Sequence, residues 1–255
     1  MTQGAKAGSP VNDRRLLNLP PAPRTEFERN FIKTAVCELR FPTLLEFESK
    51  PPVELQRRLR KDYPHYERER DVSVSPGAVE QEFKHLFRSK KRDWLVSFKS
   101  SSIALETTRY RRFEEFADRL AVLLDRSAEL IDSDFFTRVG LRYIDEIPIP
   151  EDTIEGWVRP ELISPLAAGT YGQVERFIQE VRGSTEVGRF TFRHSAGPPN
   201  GQQPTYNLDF DFHEENVQAD DVLDLVASFN ELSFRFFVWA IGEKARTALG
   251  EATPK

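Results

Sequence analysis

The sequence predicts an α+β protein: two similar, mostly antiparallel sheet-plus-helix halves, closed by a long C-terminal helix. Three observations carry this expectation. Stretches that alternate apolar with polar residues, the strand period, recur at 34–41, 94–110, 135–150 and 206–215. Two long stretches, 111–131 and 220–249, have the apolar content of helices that bury a face. Finally, Leu39-Arg40-Phe41 returns as Leu141-Arg142-Tyr143 after 102 residues, and Leu105 and Leu208 are 103 apart. Residues 26–131 and 132–255 therefore read as two copies of a strand–helix–strands–helix unit, or as one compact domain over 26–250. A chain of 255 residues is long enough for either.

The elements follow in order. Residues 1–25, rich in small, polar and proline residues, are expected to form a mostly disordered tail. In TAVCELRF (34–41), Ala35, Cys37, Leu39 and Phe41 share one face, and Val36, Glu38 and Arg40 the other. SKPPVELQRRLRKDY (49–63) predicts a helix capped by Ser49, with Leu55, Leu59 and Tyr63 on one side. Strands at 94–98 and 103–110 are joined by a polar turn. Phe113, Phe116, Leu120, Leu123, Leu124 and Ile131 then form the buried stripe of a helix over 111–131. Residues 150–172, with Pro160, Pro165, Gly169 and Gly172 among them, predict a linker containing one helical turn. Strands are expected at 174–181, 189–194 and 206–215, with a turn-rich loop at 195–205. The last helix starts at Asp220 or Asp221. It is apolar on nearly all sides between Phe234 and Ile241, so each side must be covered, by this chain or by a second subunit.

Composition narrows the classes. Hydrophobic residues make up 39% and charged residues 30%, values of a soluble globular chain. Twenty Phe against one Met predict a stiff aromatic interior. The single cysteine, Cys37, excludes an internal disulfide and fits a reducing cytoplasm. Its place on an apolar strand face fits core better than nucleophile. The longest apolar run, Phe236–Ile241, is far short of the ~20 residues that cross a bilayer, and the first 25 residues hold no apolar stretch of signal-peptide length. The expectation is a cytoplasmic protein without a membrane partner. The net charge of −5 hides an asymmetry: residues 50–112 carry 16 Lys and Arg against 9 Asp and Glu, and residues 113–255 carry 13 against 26. Either the basic part meets an anionic partner, or the two parts attract each other, or both charge sets are solvated.

Two stretches hold candidate chemistry. In FFTRVGLRYIDEIPIP (135–150), Arg138 and Arg142 flank Gly140 on one strand face. Two guanidinium groups beside a glycine notch suit a phosphate or carboxylate, with Arg40 of the first strand as an added cation. Otherwise they pair with acids on neighbouring strands, such as Glu38. In LDFDFHEE (208–215), Asp209, Asp211 and His213 share a face and are weak candidates for a metal, because side chains on one straight strand converge poorly on an ion. If the two strands are neighbours, the Asp face neutralises the Arg face and neither is a site. The basic run RSKKR (88–92) fits a solvated loop better than a nucleic-acid contact. Phosphate-loop, zinc-peptidase, nucleophile-elbow, CxxC and dinucleotide-binding motifs are absent, and no catalytic residue or cofactor is assigned.

AVCELRF and RVGLRYIDEI, with the WLVSF hairpin and the Phe-rich last helix, resemble a sporadically distributed bacterial family of uncharacterised cytosolic proteins of similar length. The resemblance covers roughly residues 30–247 and implies accessory genes of the mobile-element, phage-defence or toxin–antitoxin kind. It brings no activity or site residue. The sequence thus leads to a non-catalytic protein-binding or regulatory protein, whose partner or second copy meets Phe234, Phe236, Phe237 and Trp239. The alternatives are a binder of an anionic small molecule or nucleotide, and a metal-dependent nuclease-like enzyme.

Overall fold

Alternation of period two places one set of side chains on each face of a strand, and here nearly every strand keeps one apolar set. The computed structural model describes residues 16–21, 26–75, 78–149, 153–167, 169–172, 174–197 and 204–251. Its strands are β1 (Ile32–Arg40), β2 (His65–Ser75), β3 (Ala78–Arg88), β4 (Trp94–Lys99), β5 (Ser102–Thr107), β6 (Phe135–Pro148), β7 (Phe177–Thr185), β8 (Gly188–Gly197) and β9 (Thr205–Gln218). Its helices are α1 (Val53–Leu59), α2 (Phe113–Ile131), α3 (Pro160–Ala167), α4 (Val222–Ala240) and α5 (Glu243–Leu249). The strands form one antiparallel sheet in the order β2-β3-β4-β5-β1-β6-β9-β8-β7. Strands from residues 26–131 lie on one side of the β1–β6 seam, and those from 132–255 on the other.

At the seam, Cys37 faces Leu141, Glu38 faces Gly140 and Leu39 faces Val139. Ala35, Cys37, Leu39, Val139, Leu141 and Tyr143 are buried on the helix-bearing face. Phe210 and Phe212 of β9 continue that face beneath α4, where Phe212 meets Phe229 at 6.1 Å between ring centroids. Antiparallel sheets tolerate this asymmetry, with one face packed and the other wet. One continuous buried cluster runs through both halves.

Several sequence expectations need correction. β2 and β3 were not foreseen; the run of consecutive charges in HYERER hides any alternation and looks like loop rather than strand. The first helix is shorter than 49–63, and its N-cap is Pro52 rather than Ser49, although Leu55, Leu59 and Tyr63 are buried as expected. The last helix is two helices. Ile241 is extended and bridges Val158, and Gly242 approaches the Gly156 carbonyl more closely than any side chain would allow. Leu105 and Leu208 are not equivalent: Leu105 lies opposite Cys37, whereas Leu208 lies opposite Asp145. Part of the expected tail is held in place. Leu16 bridges Ser184, Leu19 is buried, and the Leu19 carbonyl accepts a bond from Arg235 at 3.0 Å. Residues 1–15 and 22–25 lie outside the described residues.

The interior is aromatic, as the composition predicts. Phe236 of α4 lies 4.6 Å from Phe192, 5.2 Å from Phe210, 5.5 Å from Trp239 and 5.9 Å from Phe190, centroid to centroid. Among the described residues, no helix is long and apolar enough to cross a membrane. Phe236→Ala is expected to lower the unfolding free energy by about 3–5 kcal/mol in guanidinium titrations. Val122→Ala, on the exposed side of α2, should change it by less than about 0.5 kcal/mol.

Candidate functional site

The arginines of β6 point away from the helices and meet the acidic face of β9. Arg142 donates from Nε and Nη2 to the two carboxylate oxygens of Asp209, each at 2.7 Å. Arg138 reaches Asp211 at 3.3 Å and Glu38 at 3.4 Å, and Arg40 holds the same Glu38 at 2.6 Å. Arg193 of β8 lies 3.7 Å from Asp209. The notch over Gly140 is already occupied. A methyl group there would sit 2.6 Å from Nη1 of Arg138, whose guanidinium lies over the glycine to reach its two acids. The Arg and Asp faces thus neutralise each other, with bond geometry that leaves Arg142 firmly charged: hydrogen bonding to Asp209 raises its pKa.

His213 stands opposite Gly140 in the register. Its Nδ1 is buried without a partner, and burial, followed by the charge of Arg138, lowers its pKa. With Asp209 and Asp211 bound to arginines, no group of three potential ligands suited to a metal ion occurs among the described residues. Cys37 is fully buried, and burial pushes its thiol up to about 12, as fits a core residue. In RSKKR, Arg88 and Arg92 both pair with Glu67, at 3.3 and 3.1 Å.

Of the four aromatic residues assigned to a partner, Phe236 is buried in the core stack. Trp239 is half-buried, with the Arg159 guanidinium 5.4 Å from its ring centroid. Phe234 and Phe237 line a cleft of about 650 Å³. This cleft opens between the start of α2, the middle of α4 and the strand β6, with residues 26–30 as its rim. The rim is fixed to the end of α5 and the residues just after it: Phe27 bridges Glu251, and Arg29 N–H donates to the Leu249 carbonyl at 3.1 Å.

Asp145 stands at the floor of the cleft. It follows Val139, Leu141 and Tyr143 in the inward phase of β6, so the strand period carries a carboxyl group into the core. Its exposure is 2%, and among the described residues no charge or hydrogen bond contributes to its pKa shift. Burial alone raises its pKa to about 8. A bulge in β1 sits beside it, with Ile32 opposite Asp145 and Thr34 opposite Ile144. Bulges of this kind re-aim side chains next to functional sites. Asn30 anchors the bulged entry: its Oδ1 accepts from Ile32 N–H at 3.1 Å, and its Nδ2 donates to the Tyr110 carbonyl at 3.2 Å.

Above Asp145, the Tyr143 hydroxyl donates to Asn230 Oδ1 at 3.0 Å. Its single proton is then used, so at 3.4 Å it accepts from Tyr110. The two rings meet edge to face, 5.3 Å apart. Burial pushes the Tyr110 hydroxyl up to about 12 and Tyr143 well above its ordinary value. Both therefore act as neutral hydrogen-bonding groups across the physiological range. No protein-family model, curated protein or solved structure matches this chain.

Sequence reasoning named neither Asp145, Tyr110 nor Asn230. For Asp145 the signal was present: in Val139, Leu141, Tyr143, Asp145, Ile147 a carboxylate breaks an otherwise apolar phase. Tyr110 and Asn230 gave no such sign, because their meeting depends on how α2 and α4 cross the sheet.

Two outcomes follow. The folded pKa of Asp145, about 8, exceeds the unfolded value near 3.9, so between these limits the folded state holds the extra proton. Its contribution to stability is complete below about pH 4 and is lost as pH rises to about 8, by at most ~1.4 kcal/mol per unit. Asp145→Asn removes this loss. Urea titrations from pH 5 to 8 should show the variant's advantage over the parent growing with pH and levelling above 8. Gly140→Ala should cost no more than about 1 kcal/mol, by displacing Arg138 from a half-exposed pair. In an Arg138→Met background it should be neutral or stabilising, because the clash is gone.

Proposed function

We propose that this chain is a non-catalytic binding protein that takes a small molecule in the cleft between α2 and α4. The observation that carries this reading is the unpartnered, buried carboxyl of Asp145 at the cleft floor. A buried polar group without a partner costs about 1–3 kcal/mol, and a ligand that supplies the partner recovers it. The surroundings support a ligand site: aromatic walls, a few converging polar groups, and a volume in the range of small-molecule pockets. A binding role fits better than catalysis, because the tyrosines beside Asp145 stay protonated and form no acid–base pair with it near neutral pH. Recognition of an anion by Arg138 and Arg142 is disfavoured, since their guanidinium groups are engaged by Asp209, Asp211 and Glu38. In this reading Phe234 and Phe237 serve as cleft wall rather than as a protein-docking patch.

We further infer that the two halves are copies of one unit. An offset of 102 residues exchanges the seam pairs Cys37–Leu141 and Leu39–Val139 and maps Glu38 onto Gly140, as a two-fold axis through the seam requires. This supports the strand–helix–strands–helix repeat. The Leu105–Leu208 spacing does not.

The binding reading is tested with a panel of ring-bearing fragments followed by ligand-observed NMR. Several should bind with Kd on the order of 1 mM or tighter. Asn230→Trp, which fills the cleft from its half-buried position on α4, should weaken them at least tenfold while the protein remains folded by thermal melting. Fragments that bind both proteins equally, or none that bind at all, would refute the reading.

A further inference from the structure

The charge around Asp145 goes beyond a generic pocket. The cleft that it floors is lined by Tyr143 of its own strand, by Tyr110, Arg111 and Arg112 of the segment entering α2, and by Glu114 in the first turn of α2. The rim adds Glu26, Glu28 and Arg29, and α4 adds Glu231. With Asp145, the cleft holds five carboxyl groups against three guanidinium groups. Among the described residues no cation contributes to the shift of Asp145, although paired arginines are plentiful on the other face of the sheet. A fold that pairs its carboxylates on the wet face leaves this one open on the dry face.

The walls around the carboxyl are ring faces and edges. Tyr110, Tyr143, Phe113, Phe210, Phe234 and Phe237 line the cleft. Aromatic rings present negative potential from their faces and attract cations, more strongly where water is excluded. A buried carboxyl, an acidic rim and an aromatic lining favour the same ligand charge.

We propose that the cleft's ligand is an organic cation, its ammonium head at Asp145 and its apolar body between the rings of α2, α4 and β6. The proposal rests on the cleft being a binding site. The head supplies the hydrogen bonds that Asp145 lacks, and the charge that makes the ionised carboxyl favourable in the core. Asn230 and the tyrosine pair fix the orientation at the floor. Binding is coupled to loss of one proton from Asp145, whose carboxyl is otherwise held neutral at pH 7. The proton passes to solvent.

Three probes that share a phenylethyl body separate the possibilities: phenethylamine, 2-phenylethanol and 3-phenylpropionate. Affinities are measured by NMR titration of the full-length protein between pH 6 and 8.5, where the amine keeps its charge. Phenethylamine should bind at least tenfold more tightly than the alcohol at pH 8. Its affinity should rise by up to about tenfold per pH unit below pH 8 and flatten above it. Asp145→Asn should abolish the amine's advantage while leaving the alcohol's affinity within about threefold. An alcohol that binds as well as the amine, or an affinity that falls as pH rises to 8, would overturn the cation assignment and leave the cleft as a binding site. A preference for the carboxylate would do the same. If none of the probes and no fragment is sensitive to Asn230→Trp, the binding reading itself falls.

Discussion

The pairing of β1 with β6 sets which face every other strand presents. Because side chains alternate with period two, a slip of one residue at this seam would send Val139, Leu141 and Tyr143 into water and drive Arg138 and Arg142 under the helices. The register Glu38–Gly140 prevents this twice over. It buries Cys37 and Leu39 against their inward neighbours, and it sets a small residue where the Arg138 guanidinium must lie flat. Placement of Asp145 in the core is a consequence of the same register. Shifting it outward would require breaking the strand, and β1 accommodates it with a bulge.

The charged face and the cleft use the same residue types in opposite ways. On the wet face Arg138, Arg142 and Arg193 find carboxylates on neighbouring strands, and such pairs are individually weak, about 0.2–1 kcal/mol where solvent reaches them. Their joint effect is to leave little unbalanced charge over the middle of the sheet. On the dry face a single carboxyl has no such neighbour. Low dielectric makes that one group weigh heavily, since burial acts on it and no charged partner among the described residues offsets it. Electrostatic weight in this fold is therefore set by burial rather than by the number of charges.

Much of the fold was legible where local pattern and tertiary environment agree. The alternation of β1, β4, β5, β6 and β9, and the helix α2, could be read because each has one clearly apolar face. β2 and β3 could not, since β2 at the sheet edge carries an unbroken charged run from Glu67 to Asp71 that hides any alternation, and its pairing partner is the remaining clue. The break at Ile241–Gly242 was hidden because it arises from a distant segment, Gly156–Val158, that has no local signature. The ion pairs between β6 and β9 were anticipated conditionally, and strand adjacency supplied the condition. The cleft was missed for the opposite reason. Asp145 lies three residues after Arg142 and is marked only by its phase, a carboxylate among the apolar inward positions of β6.

The solitary sulfur atom of β1 gives the fold a built-in clock. Cys37 has no exposed surface and lies at the seam between the two halves. A thiol-specific reagent can reach it when the packing over the centre of the sheet opens, so the rate of modification reports how often the core at the seam is exposed. Any occupant of the neighbouring cleft that steadies this ladder would slow that reaction, which makes the unmodified chain its own sensor of occupancy.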